Sequence, residues 1–303
     1  MTCYTVSLDQ QQTEILRETL QKLGWESRVV PHSTLAMRGP DVQVVVYNSG
    51  KCLVQGKGTA EFVEFTLEPI ILKRAELGYS DRLHPEMYVE HIGVDESGKG
   101  DFFGPLVVAG VYASAEGVAQ LQKWGVRDSK KISSSRVVED LYRKIRRSSL
   151  FAVEVILLQP SKYNELQQKM HTTNQLLGWA HAKVASKLLE RQPQCRRVVF
   201  DKFAKDPLTI LKFLTKTTQD VEVVQRHRAE EDPVVAAASI VARRFFLRWL
   251  TQTSKDLGVT IPAGASITVK ECARLLQQRI GKEKLSAYVK THFKTWKELN
   301  DST

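Results

Sequence analysis

Apolar positions follow two regimes along the chain. In the first, Ile15, Leu16, Leu20 and Leu23 recur at helical spacing and predict a helix running through Lys22. Ser7 or Asp9 can cap its start, Lys22 suits its last turn, and Gly24 supplies a stop signal. Short β-type runs follow at 34–37, 42–47 and 52–55, and the Asn48-Ser49-Gly50-Lys51 segment between two of them reads as a hairpin turn. A further run at 62–72 begins as β-type and drifts toward helical spacing. Together these predict a small α+β unit over residues 1–83. Residues 78–86 (GYSDRLHPE) are polar, contain Gly and Pro and lack periodicity, which marks a linker.

From Val89 the pattern changes. Apolar β-type runs at 91–94, 106–111, 151–157, 197–200 and 221–224 alternate with helical stretches at 115–124, 134–146, 161–169, 174–190, 207–216 and 234–250. Such alternation predicts an α/β domain with a mixed sheet over residues 84–303. Helices at 269–278 and 282–296 close the chain.

With 42% hydrophobic and 26% charged residues among 303, the chain can bury a real core without covalent help. Cys3, Cys52, Cys195 and Cys272 are scattered and form no CxxC pair, which argues against a zinc or redox motif and for a reducing cytoplasm. His171, His181 and His227 form no H-x-x-x-H pair either, and His181 reads as a packed or hydrogen-bonded residue of its helix. No run approaches the ~18 apolar residues of a membrane helix, and the N-terminus lacks the pattern of a secretory signal. A cytoplasmic protein with no membrane partner is the expectation, and a monomer is compatible with it.

Charge sharpens the picture. The net charge is +10, but residues 1–83 hold 9 Lys/Arg against 10 Asp/Glu, while residues 84–303 hold 35 against 24. A field of that sign on the larger part attracts polyanions, nucleic acid among them, with a strength that falls as salt rises.

Residues 91–110, HIGVDESGKGDFFGPLVVAG, carry the candidate chemistry. Asp95 and Glu96 end a β-type run and precede a turn that Gly98 and Gly100 permit. Neighbouring strand residues face opposite ways, so the two carboxylates point apart unless the backbone turns there. Gly93 to Lys99 fits the start of a phosphate-binding GxxxxGK[ST] loop, yet Gly100 stands where the hydroxyl belongs. Asp95 and Glu96 would also put two negative charges inside a phosphate cradle, so that reading is rejected. Carboxylates before a glycine turn suit a divalent cation placed between them and a phosphate. Asp201 ends a second β-type run, and Glu230, Glu231 and Asp232 precede a helix whose Ala236–Ser239 segment is built of small residues. Acids in a first helical turn also serve as plain partners of the helix dipole.

The segment VDESGKGDFFGPLVVAG resembles the signature of type 2 ribonucleases H, and its Ser97, Lys99 and Asp101-Phe-Phe-Gly104-Pro105 resemble the ribonuclease HIII branch. Asp128-Ser-Lys-Lys131, the strand ending at Asp201, the helix 235–243 and the Tyr47–Gly56 stretch of the N-terminal unit extend the likeness over nearly the whole chain. The resemblance implies an RNase H-like mixed-sheet catalytic domain, preceded by a small unit resembling half of the TATA-box-binding fold. It implies four metal-binding, catalytic carboxylates: Asp95, Glu96, Asp201 and Glu230, with Glu231 as the alternative, because the spacing to Ser239 is one residue short of the family's. Two Mg²⁺ or Mn²⁺ ions and an RNA/DNA hybrid partner follow from the same likeness. So do substrate contacts from Ser97, Gly98, Lys99 and Gly100, and from Ser129, Lys130 and Lys131. The expected reaction is metal-dependent hydrolysis of the RNA strand, leaving 5′-phosphate and 3′-hydroxyl ends. The alternatives are ribonuclease HII-like incision at single ribonucleotides in duplex DNA, and a hybrid-binding protein without catalysis. The 290–294 segment (KTHFK) also resembles the family, and helix packing is its expected role.

Overall fold

A computed structural model describes residues 3–73, 89–126, 134–201, 208–214, 220–226 and 229–301. The chain divides into two compact units, Met1–Glu86 and Met87–Thr303. The expected boundary at 83/84 and the linker at 78–86 lie outside the described residues.

In the first unit, β1 (Cys3–Ser7), α1 (Gln10–Lys22), β2 (Glu26–Ser27), β3 (Ser33–Arg38), β4 (Gln43–Tyr47) and β5 (Lys51–Gln55) lead into α2 (Thr59–Phe62) and a π-helical Val63–Leu72. The strands form one antiparallel sheet in the order β1-β5-β4-β3-β2. Asp9 caps α1 through a reciprocal pair with Gln12, so of the two expected caps Asp9 is the one used. Leu16, Leu20, Val63, Leu67 and Ile71 cover one sheet face, against Leu35, Met37, Val44, Val46, Cys52 and Val54. Period-two alternation puts Arg38 and Lys51 on the other face, with a row running from Thr5 through Leu53 and Val45 to Ala36. The drift seen at 62–72 resolves as helix. The strand β1 was not expected, because its apolar residues Tyr4 and Val6 are too few to show a period.

The second unit begins with β6 (His91–Ser97), β7 (Leu106–Ala113), α3 (Ala115–Lys123), α4 (Ser135–Arg147), β8 (Phe151–Leu158), α5 (Pro160–Met170) and α6 (Thr173–Arg191). It continues with β9 (Arg197–Asp201), α7 (Leu208–Leu211), β10 (Glu222–Arg226), a tight 3-10 turn (Ala229–Glu231) and α8 (Pro233–Leu257). The last elements are α9 (Ile267–Ile280), α10 (Lys282–Leu285) and α11 (Lys294–Asp301). The sheet order is β10-β9-β6-β7-β8, with β6, β9 and β10 mutually parallel and β7 and β8 antiparallel. This is the expected mixed sheet.

Two glycines set its layers. A side chain at Gly93 would strike the Val234–Val235 backbone of α8 at 2.4–2.8 Å, and one at Gly110 would strike Val184 and Leu188 of α6 at 2.5 and 2.7 Å. These glycines belong to adjacent strands and open opposite faces, so α8 and α6 each seat directly on the sheet. The residues Ala236–Ser239, all buried, let α8 approach closely.

The tail departs from expectation. A continuous helix over 282–296 is replaced by α10, an irregular stretch and α11. Val289 forms a β-bridge with Phe103, and the Lys290 N–H donates to the Phe102 carbonyl. Tyr288, Val289 and Lys290 therefore bond to the loop between β6 and β7 instead of continuing a helix. Of the helix expected at 207–216, only Leu208–Leu211 is helical among the described residues.

Candidate active site

The site forms at the carboxyl ends of the three parallel strands, where open α/β sheets commonly place their chemistry. Val94 pairs with Phe200 across β6 and β9, so Asp95 and Asp201 take the next places on neighbouring strands, on one face. Arg226 of β10 pairs in turn with Asp201. The row Arg226, Asp201, Asp95 thus sets a cation beside two acids on the face that α8 covers. The Glu96 N–H donates to Asp95 Oδ1 at 2.7 Å, and the Ala229 N–H donates to Asp201 Oδ1 at 3.1 Å. The second bond ties the turn Ala229–Glu231 to Asp201 and brings the backbone of Glu230 to the rim. The side chain of Glu230 lies outside the described residues, and that of Glu231 is exposed.

The strand stays regular through Ser97, so Glu96 points to the opposite face, toward α6. There the His181 Nε2 donates to Glu96 Oε2 at 3.0 Å, and the Lys99 Nζ lies 3.5 Å from Oε1. Burial alone would raise the Glu96 carboxyl; His181 and Lys99 together outweigh it and hold the pKa below the ordinary carboxylate value. The sequence placed His181 correctly on its helix as a hydrogen-bonded residue but gave no sign of its partner.

The turn that follows needs glycine at only one of the two expected positions. Gly98 has φ +90°, and a Cβ there would lie 2.2 Å from the Pro105 carbonyl oxygen. At Gly100 φ is ordinary, and a Cβ would meet nothing within 4 Å. Gly98→Ala is expected to lower the melting temperature by several degrees, whereas Gly100→Ala should leave it within about 2 °C, as for a surface change. Thermal unfolding of both variants checks this; equal losses would contradict the assignment of the turn to Gly98.

Asp232 is set apart from its neighbours. It is buried, caps α8 by accepting from the Val234 and Val235 N–H groups, and lies 2.9 Å from His91 Nε2 and 3.5 Å from Arg226 Nη2. Its oxygens are committed to structure. Ser129, Lys130 and Lys131 lie outside the described residues, so their expected substrate contacts are carried by the resemblance alone. Among the described residues no three His, Cys, Asp or Glu side chains converge on one point; Glu230 is not among those side chains.

Residues 92–296 match the family model described as Ribonuclease HII, and residues 5–71 match one described as Domain of unknown function (DUF3378). Ribonuclease HIII of Chlamydia abortus is 42% identical over 290 residues, which cover 95% of this chain and 94% of that protein. The chain belongs to the ribonuclease HIII family. A second ribonuclease HIII, from Protochlamydia amoebophila, is 38% identical over 96% of this chain and 95% of its own. Among solved structures, Bst-RNase HIII in complex with Mn²⁺ is similar with a TM-score of 0.66 at 27% identity, over 99% of both chains. Aquifex aeolicus RNase H3 gives 0.54 at 26% identity, over 95% of this chain and 99% of that one. The larger unit accordingly has the RNase H-like mixed sheet, and the smaller one a separate β-rich sheet as the ribonuclease HIII likeness led one to expect. No helix among the described residues is long and apolar enough to cross a membrane.

Proposed function

We propose that this ribonuclease HIII family member hydrolyses the RNA strand of RNA/DNA hybrids with divalent metal ions. The observation that carries the reading is the placing of Asp95 and Asp201 side by side at the carboxyl ends of β6 and β9, directly before a turn built around Gly98.

The donor set fits such ions. Carboxylate oxygens suit Mg²⁺ or Mn²⁺, and no thiolate or imidazole competes on that face among the described residues: His91 is bound to Val89 and Asp232. Asp95 and Asp201 would hold the metal, with Glu230 joining from the turn that Ala229 anchors and Glu96 from the end of β6. Bound there, two ions would supply charge neutralisation at the scissile phosphate and an activated water for in-line displacement. The chain's own part is to hold its acids apart and aimed. The Asp95 and Asp201 carboxylates are each fixed by a backbone N–H. Glu96 would add its carboxylate at the end of β6, where His181 and Lys99 hold it, and the Lys99 ammonium beside it would face phosphate.

Ser97, Gly98, Lys99 and Gly100 form the edge that meets the RNA strand. Because the fold does not need glycine at position 100, its missing side chain is best used for close approach of a ribose 2′-hydroxyl to the backbone. Ser129, Lys130 and Lys131 add phosphate contacts. In the smaller unit we assign the sheet face that carries Arg38 and Lys51, opposite the one packed on α1, a role in gripping the hybrid, in the manner of a TATA-box-binding sheet.

The test is cleavage of end-labelled RNA annealed to DNA in Mg²⁺, Mn²⁺ or EDTA, beside a DNA duplex holding one ribonucleotide. Metal-dependent cutting within the hybrid, with 5′-phosphate and 3′-hydroxyl ends, is expected. Cutting only the single-ribonucleotide duplex would point to ribonuclease HII-like incision. Salt-sensitive binding of the hybrid without any cutting would make this a binding protein.

A further inference from the structure

Lys290 is fully buried, yet it carries an amine. Taking a charged ammonium out of water is costly unless its protons are used, so a buried lysine needs a specific employment. Here Nζ donates to the Asp101 carbonyl at 2.8 Å and to the Gly104 carbonyl at 2.6 Å, and lies 5.6 Å from the centre of the Tyr163 ring. Burial drives its pKa down to about 7, against the opposing pull of Asp101.

The two carbonyls belong to the loop that joins β6 to β7. That loop begins at Gly98, closes with the Asp101 N–H donating to the Gly98 carbonyl, and ends at Pro105. Its far half is held at several further points. The Phe102 N–H donates to the Gly264 carbonyl, the Gly264 N–H to Asp101 Oδ1 at 2.6 Å, and the Gly104 N–H to the Tyr288 carbonyl. Lys290 is the side chain that reaches both ends of that half, and its own N–H holds the Phe102 carbonyl between them. The near half, Ser97–Gly100, is short and connects the held half directly to Asp95 and Glu96. Fixing 101–104 therefore fixes the height of the substrate edge above the acids.

We propose that Lys290 is a positioning residue for hybrid cleavage, setting the glycine turn against the carboxylates through the Asp101 and Gly104 carbonyls. The inference rests on the reading of Ser97–Gly100 as the substrate edge. It predicts a loss of turnover rather than of overall binding, because the basic excess over residues 84–303 attracts the hybrid as a whole, whereas a misplaced edge harms the reacting geometry.

The test compares the full-length wild type with Lys290→Met, which keeps the volume and removes the donors, and Lys290→Gln, whose amide can still donate. At 25 °C, Lys290→Met should lower kcat on the hybrid about tenfold with KM changed less than twofold, and Lys290→Gln should recover part of the loss. Hydrogen exchange, which does not depend on activity, should show the Phe102 and Gly104 amides of Lys290→Met exchanging about tenfold faster, with β6 and β7 amides unchanged. If Lys290→Met fails to fold, Lys290→Gln carries both measurements, with a smaller change of the same kind expected. Wild-type kcat together with wild-type protection would overturn the proposal. So would a loss of protection spread evenly over β6 and β7, which marks a merely structural role. A wild type that cuts no hybrid would sink the reading of the substrate edge, and the exchange data would then decide the clamp by itself.

Discussion

Asp95→Asn and Asp201→Asn are each expected to lower kcat/KM for hybrid cleavage by about a thousandfold or more, with the fold intact. Metal-borne charge stabilisation of a phosphoryl transition state is worth several kcal/mol, and each 1.36 kcal/mol is tenfold in rate. The geometry explains why the fold should survive. Asn keeps an Oδ1 in each place, so the N–H groups of Glu96 and Ala229 keep their acceptors. The two carboxylates stand on adjacent strands, roughly 5 Å apart at the backbone, where like charges repel without metal. Neutralising one of them should therefore leave the melting temperature unchanged or raise it. The same assay separates the two glutamates in the following turn: Glu230→Gln should lose activity by a similar factor, and Glu231→Gln, exposed, should not. Circular dichroism, thermal unfolding and initial rates in saturating Mn²⁺ settle it. Near-wild-type rates in both aspartate variants would remove these residues from the chemistry.

The site was legible in the sequence to the extent that it is local. Asp95 and Asp201 each end an apolar run, and the period of a strand says which face such residues share. The same period correctly sends Glu96 the other way, because the turn comes after Ser97 and not at the acids. What sequence could not supply are partners fixed by long-range packing. His181 lies 85 residues from Glu96, Asp232 lies 141 from His91, and Lys290 lies 189 and 186 residues from the carbonyls that it holds. Lys290 also shows how a period misleads. Residues 282–296 have helical spacing, but Val289 and Lys290 bond to the β6–β7 loop, and tertiary hydrogen bonds override the local preference. Gly98 and Gly100 were legible as turn-formers, although their separate duties were not, and the packing duties of Gly93 and Gly110 gave no sign. Gly93 and Gly110 admit helices, Gly98 makes the turn, and a side chain at Gly100 would meet only open space.

Asp232→Ala is expected to cost about 3–5 kcal/mol of stability, the usual loss when one partner of a buried polar pair is removed. In a unit of this size that corresponds to a fall of roughly 6–20 °C in melting temperature. The carboxylate serves three clients at once: the first N–H groups of α8, the buried ring of His91 at the start of β6, and Arg226 at the end of β10. Removing it uncaps a 25-residue helix and takes away the partner of the buried His91 Nε2 and of the Arg226 guanidinium. Asp232→Asn keeps one oxygen for the cap but loses the charge, so its loss should be about half as large. A further consequence reaches the site, because the turn that carries Glu230 hangs between Asp201 and this cap, with the Asp232 N–H donating to the Ala229 carbonyl. Activity measured well below the melting point should therefore fall in Asp232→Ala, and it should recover largely in Asp232→Asn. An acid that was a metal ligand would behave otherwise: Asn would abolish turnover as Ala does, and both would leave the melting temperature nearly unchanged. The two measurements on the two variants thus distinguish the acid that organises the rim from the proposed metal ligand Glu230, although the two stand only two positions apart in the chain.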